Sequence, residues 1–114
     1  MTVVRLTQHG KAPSGAQALA PILDRTPQDF RMGSLHGDAS TYGTGRLPRE
    51  WANTFNARSH VIDFVVRSYG TPIGWYDREM GWVVPLERYS VTTSRHQSIL
   101  RTALAYNNID PVEA

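Results

Sequence analysis

The string Thr92-Thr93-Ser94-Arg95 stands directly ahead of an apolar stripe at helical spacing, Ile99, Leu100, Ala103, Leu104 and Tyr106. It therefore puts hydroxyls and a guanidinium at a helix N-terminus, where N–H groups lack intrahelical partners and the dipole is positive. Such a turn can seat a phosphate. It can also be a plain cap: Ser94 with Gln97 fits a capping box, and Thr92 and Thr93 are alternative caps. His96 falls in the same turn beside the stripe. Its simplest use there is packing or a hydrogen bond that ties the helix start to the sheet.

Cations continue through this half of the chain. Residues 46–101 hold eight Arg (46, 49, 58, 67, 78, 88, 95, 101) against five acids (50, 63, 77, 79, 87). Arg outnumbers Lys eleven to one over the whole chain, and guanidinium groups present forked donors that match phosphate. Arg67 and Arg88 are expected on strands, Arg78 in a hairpin loop, and Arg95 and Arg101 on the polar side of the last helix. With Thr93, these are the candidate nucleic-acid-binding residues. The competing use of the same cations is a solvated face with local ion pairs to Asp63, Asp77, Glu79 and Glu87. Tyr69, Tyr76 and Tyr89 are able to stack on bases, or simply to cover strands.

Catalysis finds no local motif. G-x-S-x-G, a phosphate-binding loop and H-E-x-x-H are all missing. His9, His36, His60 and His96 are not at metal-ligand spacing. Cysteine is absent, which removes disulfides and thiolate-bound zinc and fits a reducing compartment. The expectation is a protein that is not an enzyme and needs no cofactor or metal.

The elements that must position these residues are clearest in the second half. His60–Tyr69 alternates, with Ile62, Phe64 and Val66 on one side and Asp63 and Arg67 on the other, which predicts a strand with one buried face. Tyr69-Gly70 supplies a tight turn. A return strand follows over Thr71–Tyr76, then a polar loop over Asp77–Gly81. A third strand is predicted over Trp82–Tyr89, at an edge or bulged at Pro85, which cannot donate to a ladder. The final helix exits at Asn107-Asn108, and Pro111 prevents its resumption.

The first half is less determined. Val3, Val4 and Leu6 suit a short strand or an apolar anchor. Ser14 with Gln17 starts a helix that Pro21 shortens or kinks. Thr26-Pro27 opens a helical turn through Phe30. Residues 33–45, rich in Gly, Ser and Thr, predict an exposed mobile loop. Pro48–Phe55 predicts a short helix with Trp51 and Phe55 on one face. The fold class is α+β: a three-stranded antiparallel meander followed by a capped C-terminal helix, with short irregular helices in the N-terminal half.

Length bounds the whole. A chain of 114 residues suits one domain, 1–114, with a βββα core at 57–108 and a loosely specified region at 1–45. Its 40% hydrophobic content can fill a core. The net charge of +2 makes attraction of the whole protein to nucleic acid weak, so any such contact must come from a local patch. No apolar run reaches the roughly 20 residues of a membrane helix, and the N-terminus lacks the apolar core of a secretory signal. Cytoplasm is the expected location.

Two strings carry a family resemblance: Ser68-Tyr69-Gly70-Thr71-Pro72-Ile73-Gly74-Trp75, and Tyr89-Ser90-Val91-Thr92-Thr93-Ser94-Arg95-His96-Gln97. Together they resemble a family of small actinobacteriophage proteins that share S-Y-x-T-P-I and Y-S-x-T-T-S-[KR]-H-Q. The resemblance covers about the last half of the chain. It implies a phage or prophage origin, a bacterial host cytoplasm and the same strand–helix layout, and it carries no mechanism. Two functions are therefore expected. One is a non-enzymatic accessory protein that contacts nucleic acid through an Arg-bearing sheet and helix surface. The other is a module that binds a host or virion protein, or its own copy, through an aromatic sheet edge.

Overall fold

Residues 62–77 build the centre of the sheet and are buried on both faces rather than on the one expected. In the computed structural model, which describes residues 3–6, 12–87 and 90–112 (backbone only at 12 and 13), these residues form two antiparallel strands, β4 (Ile62–Ser68) and β5 (Thr71–Asp77). Tyr69 and Gly70 join them with φ of 52° and 83°. This is the left-handed two-residue turn whose twist matches paired strands, and Gly70 adopts it without steric cost. Phe64, Val66 and Ile73 face one core and Ile62, Val65 and Trp75 the other, with a bulge between Ile62 and Phe64.

Four more strands extend this pair. β1 (Val4–Arg5) runs parallel to β2 (Phe30–Met32), and β2, β3 (Leu35–Asp38), β4, β5 and β6 (Gly81–Val83) are successively antiparallel. Among the described residues the sheet is thus six-stranded and mixed, in sequence order, rather than a three-stranded meander. The difference arises at residues 27–38. Phe30 and Met32 are both buried and Arg31 is exposed between them, so these residues pair as a strand where a helical turn was expected. Leu35–Asp38 continues that hairpin where a mobile loop was expected. β6 ends at Val83, short of the expected strand over Trp82–Tyr89, whose last two positions, Arg88 and Tyr89, lie outside the described residues.

One face of the sheet is covered by two helices, α1 (Ala12–Leu23) and α3 (Val91–Tyr106). They enclose a core that includes Leu19, Phe30, Leu35, Phe64, Ile73, Trp82 and Leu100. α1 keeps Pro21 inside its last turn; there the missing N–H forfeits a single bond near the helix end. α3 approaches closely because of Gly74. A Cβ on it would stand 2.5 Å from Leu100 Cδ2. The opposite face carries α2 (Arg49–Ala57), whose Phe55 meets Trp75 edge-to-face with ring centroids 5.0 Å apart. That packing contributes about 1 kcal/mol beyond the area it buries.

α2 covers the half of the sheet around β4–β6, with Phe55 against Val65, Trp75 and Val83. Arg58, at its C-terminal end, donates to both carboxylate oxygens of Asp77 at the end of β5. Asp77 is fully buried and also accepts from the Glu79 and Met80 N–H groups. Arg58, with those two N–H groups, outweighs burial and holds the carboxyl down to about 2. Among the described residues, no helix is long and apolar enough to cross a membrane.

Candidate nucleic-acid interface

Among the described residues, the cations expected to converge do not share one surface. Arg67 lies on the α2 face of β4, only 6% exposed. It donates to the carbonyls of Gly43 (2.8 Å), Gly70 (3.2 Å) and Ser40 (3.2 Å), with its guanidinium 6.0 Å from the Phe55 ring centroid. Its donors are thus spent on pinning the 39–46 loop to the sheet. Arg78 sits at the far end of the β4–β5 pair, bonded to Asp63 (3.0 Å) and to the His60 carbonyl (2.7 Å). Arg101 and Arg95 belong to α3, on the other side of the sheet. Arg101 donates to the Pro85 carbonyl at 2.9 Å, while Arg95 is exposed. Arg88 lies outside the described residues.

Thr93 is buried, and the reason is a helix that starts earlier than its sequence suggested. Ser90 is the N-cap, its Oγ accepting from the Thr93 N–H at 3.2 Å. Ser94 is therefore inside the helix. This register turns Thr93 and His96 toward the sheet, where Ser68 Oγ lies 3.2 Å from Thr93 Oγ1 and 2.6 Å from His96 Nδ1. His96 thus ties α3 to β4, as its place in the first turn suggested. Tyr69 stacks on it with centroids 6.0 Å apart. Burial, then the Arg95 charge, pushes the His96 pKa below its ordinary value, so the ring is neutral and suited to accept from Ser68. A cleft of about 210 Å³ opens above this cluster, lined by Arg46, Ser68, Tyr69, Thr71, Ser90 and Thr93.

A different set of cations does converge. Val4, Phe30, Met32 and Leu35 belong to the core beneath α1 and α3. Alternation therefore sends Arg5, Arg31 and His36 to the other face of the sheet. Register aligns them: Arg5 is paired with Arg31, Arg31 with His36, and His36 with Arg67. Four basic residues thus form one row across four adjacent strands, at steps of about 4.8 Å. The first three lie beyond the half of the sheet that α2 covers. Arg5 and Arg31 are exposed and His36 is half-buried.

No salt bridge ties an acid to the row among the described residues. Alternation nevertheless puts Asp29 and Asp38 on its face, and Asp38 acts on both His36 and Arg67. Among the described residues the salt bridges join Arg58 to Asp77 and Glu79, and Arg78 to Asp63; neither Arg5 nor Arg31 takes part. Asp29 lies ahead of β2, and Asp38, two residues past His36, accepts from the Ser40 N–H at 3.0 Å. His36 is pushed below its ordinary pKa, first by burial, while Asp38 opposes the shift and Arg31 and Arg67 add to it. Beside the row, Tyr42 stands 92% exposed on the loop that Arg67 pins. Like charges directly opposite on neighbouring strands cost stability, and local rules are broken mostly at functional surfaces.

The sequence carried a faint signal of this row. Phe30-Arg31-Met32 and Leu35-His36-Gly37 each place one basic residue between core-facing positions, with Gly33-Ser34 as a turn between them. What no single stretch reveals is that Arg5, 26 positions before Arg31, joins the same line.

The family of unknown function DUF8033 matches residues 20–107, more than half of the chain, which therefore belongs to that family. The match spans β2 through α3 and leaves β1 outside. Neither a curated protein nor a solved structure matches the chain.

Proposed function

We propose that this DUF8033 protein is a non-enzymatic module that contacts the phosphates of nucleic acid through the open face of β1–β3. Arg5 and Arg31 are the principal contacts, and His36 joins them when protonated. The observation that carries this reading is the cross-strand register, which lines the three up on the face that bears α2, outside the β4–β6 cluster on which α2 packs. Arg95 remains an exposed cation on α3, but no described element brings it to the row. The phage resemblance makes an accessory role in a bacterial host cytoplasm the natural setting. The rival protein-binding edge has thinner support: Val112 already pairs with Val83 at the outer side of β6, and Trp82 is buried.

The test is an anisotropy titration of a labelled oligonucleotide at low salt, with wild type and the Arg5→Thr/Arg31→Thr variant. Two phosphate contacts give a slope of log K against log salt of about −1.4 for a single strand. The double variant should lose most binding and flatten that slope. It should unfold no more easily than wild type, because a cross-strand repulsion is gone. Equal binding by both proteins refutes the proposal.

A further inference from the structure

Building on that phosphate-contact reading, we infer that the row is shaped for a single strand of nucleic acid rather than a duplex. The open strip from β1 to β3 is two strand spacings wide, about 10 Å. Its fourth position is closed: the 39–46 loop lies over Arg67, which is only 6% exposed beneath it. A duplex is read by elements that enter a groove, a helix or a projecting two-stranded ribbon. Here the β2–β3 hairpin is flanked on both sides, by β1 and β4, so it cannot project. The cations lie in a flat strip beside a wall.

The wall carries the second element. Tyr42 is 92% exposed, and the loop that bears it is fixed by the Arg67 bonds to the Ser40 and Gly43 carbonyls on either side of it. An exposed ring on an anchored loop offers a stacking platform at little entropic cost. Only unpaired bases present a free π-face to it. A strand laid along the row would put phosphates on Arg5 and Arg31 and a base on Tyr42.

The experiment titrates the full chain with three fluorescent probes at low salt: a 12-nucleotide single strand, a duplex of the same length, and polyglutamate. It is repeated with Tyr42→Ala, whose exposure leaves folding untouched. The single strand should bind at least tenfold tighter than the other probes, and Tyr42→Ala should weaken it about tenfold, the cost of a lost stacking contact. Equal or tighter duplex binding overturns the inference and leaves the phosphate reading standing, as does an unaltered Tyr42→Ala. Preference for polyglutamate overturns both, pointing to an acidic protein partner. No binding to any probe also overturns both.

Discussion

Replacing Arg67 with Met separates a structural arginine from a phosphate-binding one. Its guanidinium holds three carbonyls, of Ser40, Gly43 and Gly70, and lies close to the Phe55 ring. Hydrogen bonds to a charged group contribute about 1.5–3 kcal/mol each when their acceptors stay buried. Ser40, Gly43 and Gly70 are all exposed, so their carbonyls regain water once the arginine is gone, and Met recovers the packing against Phe55. The net loss is then about 1.5 kcal/mol, the low end of one such bond. With a urea m-value of about 1.5–2 kcal/mol/M for a domain of this size, the unfolding midpoint should drop by about 0.75–1 M. Amide exchange should accelerate first across residues 39–46. The reasoning is refuted if Arg67→Met keeps the wild-type midpoint and loop protection while oligonucleotide binding alone is lost.

Two pH dependences follow from buried charges. Asp77 is held at about 2, below its ordinary 3.8. Its contribution is complete above pH 4 and disappears as pH falls from about 4 to 2. Urea unfolding should register about 2 kcal/mol across that window, and Asp77→Asn should lose that pH-dependent contribution. His36 has its pKa lowered from 6.5, so it is neutral at pH 7 and charges only below its depressed value. Since a polyanion binds the protonated form better, affinity should rise as pH falls through that range, with the salt slope steepening by about 0.7. His36→Asn should abolish the rise.

The sequence was most legible where apolar residues recur through a whole element. Ile62, Phe64 and Val66 announced β4 as a strand, though the bulge after Ile62 puts that residue on the other face with Val65. Tyr69-Gly70 announced the turn after β4. The stripe from Ile99 to Leu104 likewise announced α3. Short strands defeated the same logic. Three residues of β2 give a single alternation, and the Gly33-Ser34 turn merges by composition with the loop after Asp38. Arg67 was correctly assigned to the face opposite Val66. That the 39–46 loop covers this face depends on contacts 24 and 27 residues apart in sequence, which no local pattern encodes. The start of α3 was displaced because Ser90 caps it better than Ser94: that register lets Thr93 and His96 reach Ser68. A basic row is a property of register, so it became visible only once the strands were paired.

Amide chemical-shift mapping by NMR during titration with a single-stranded oligonucleotide tests the central claim most directly. Perturbations should concentrate at Val4–Arg5, Phe30–Met32, Leu35–Asp38 and the adjoining loop through Gly43, with α3 silent. Shifts centred on Arg78, Arg95 and Arg101, or none at all at saturating oligonucleotide, would contradict it.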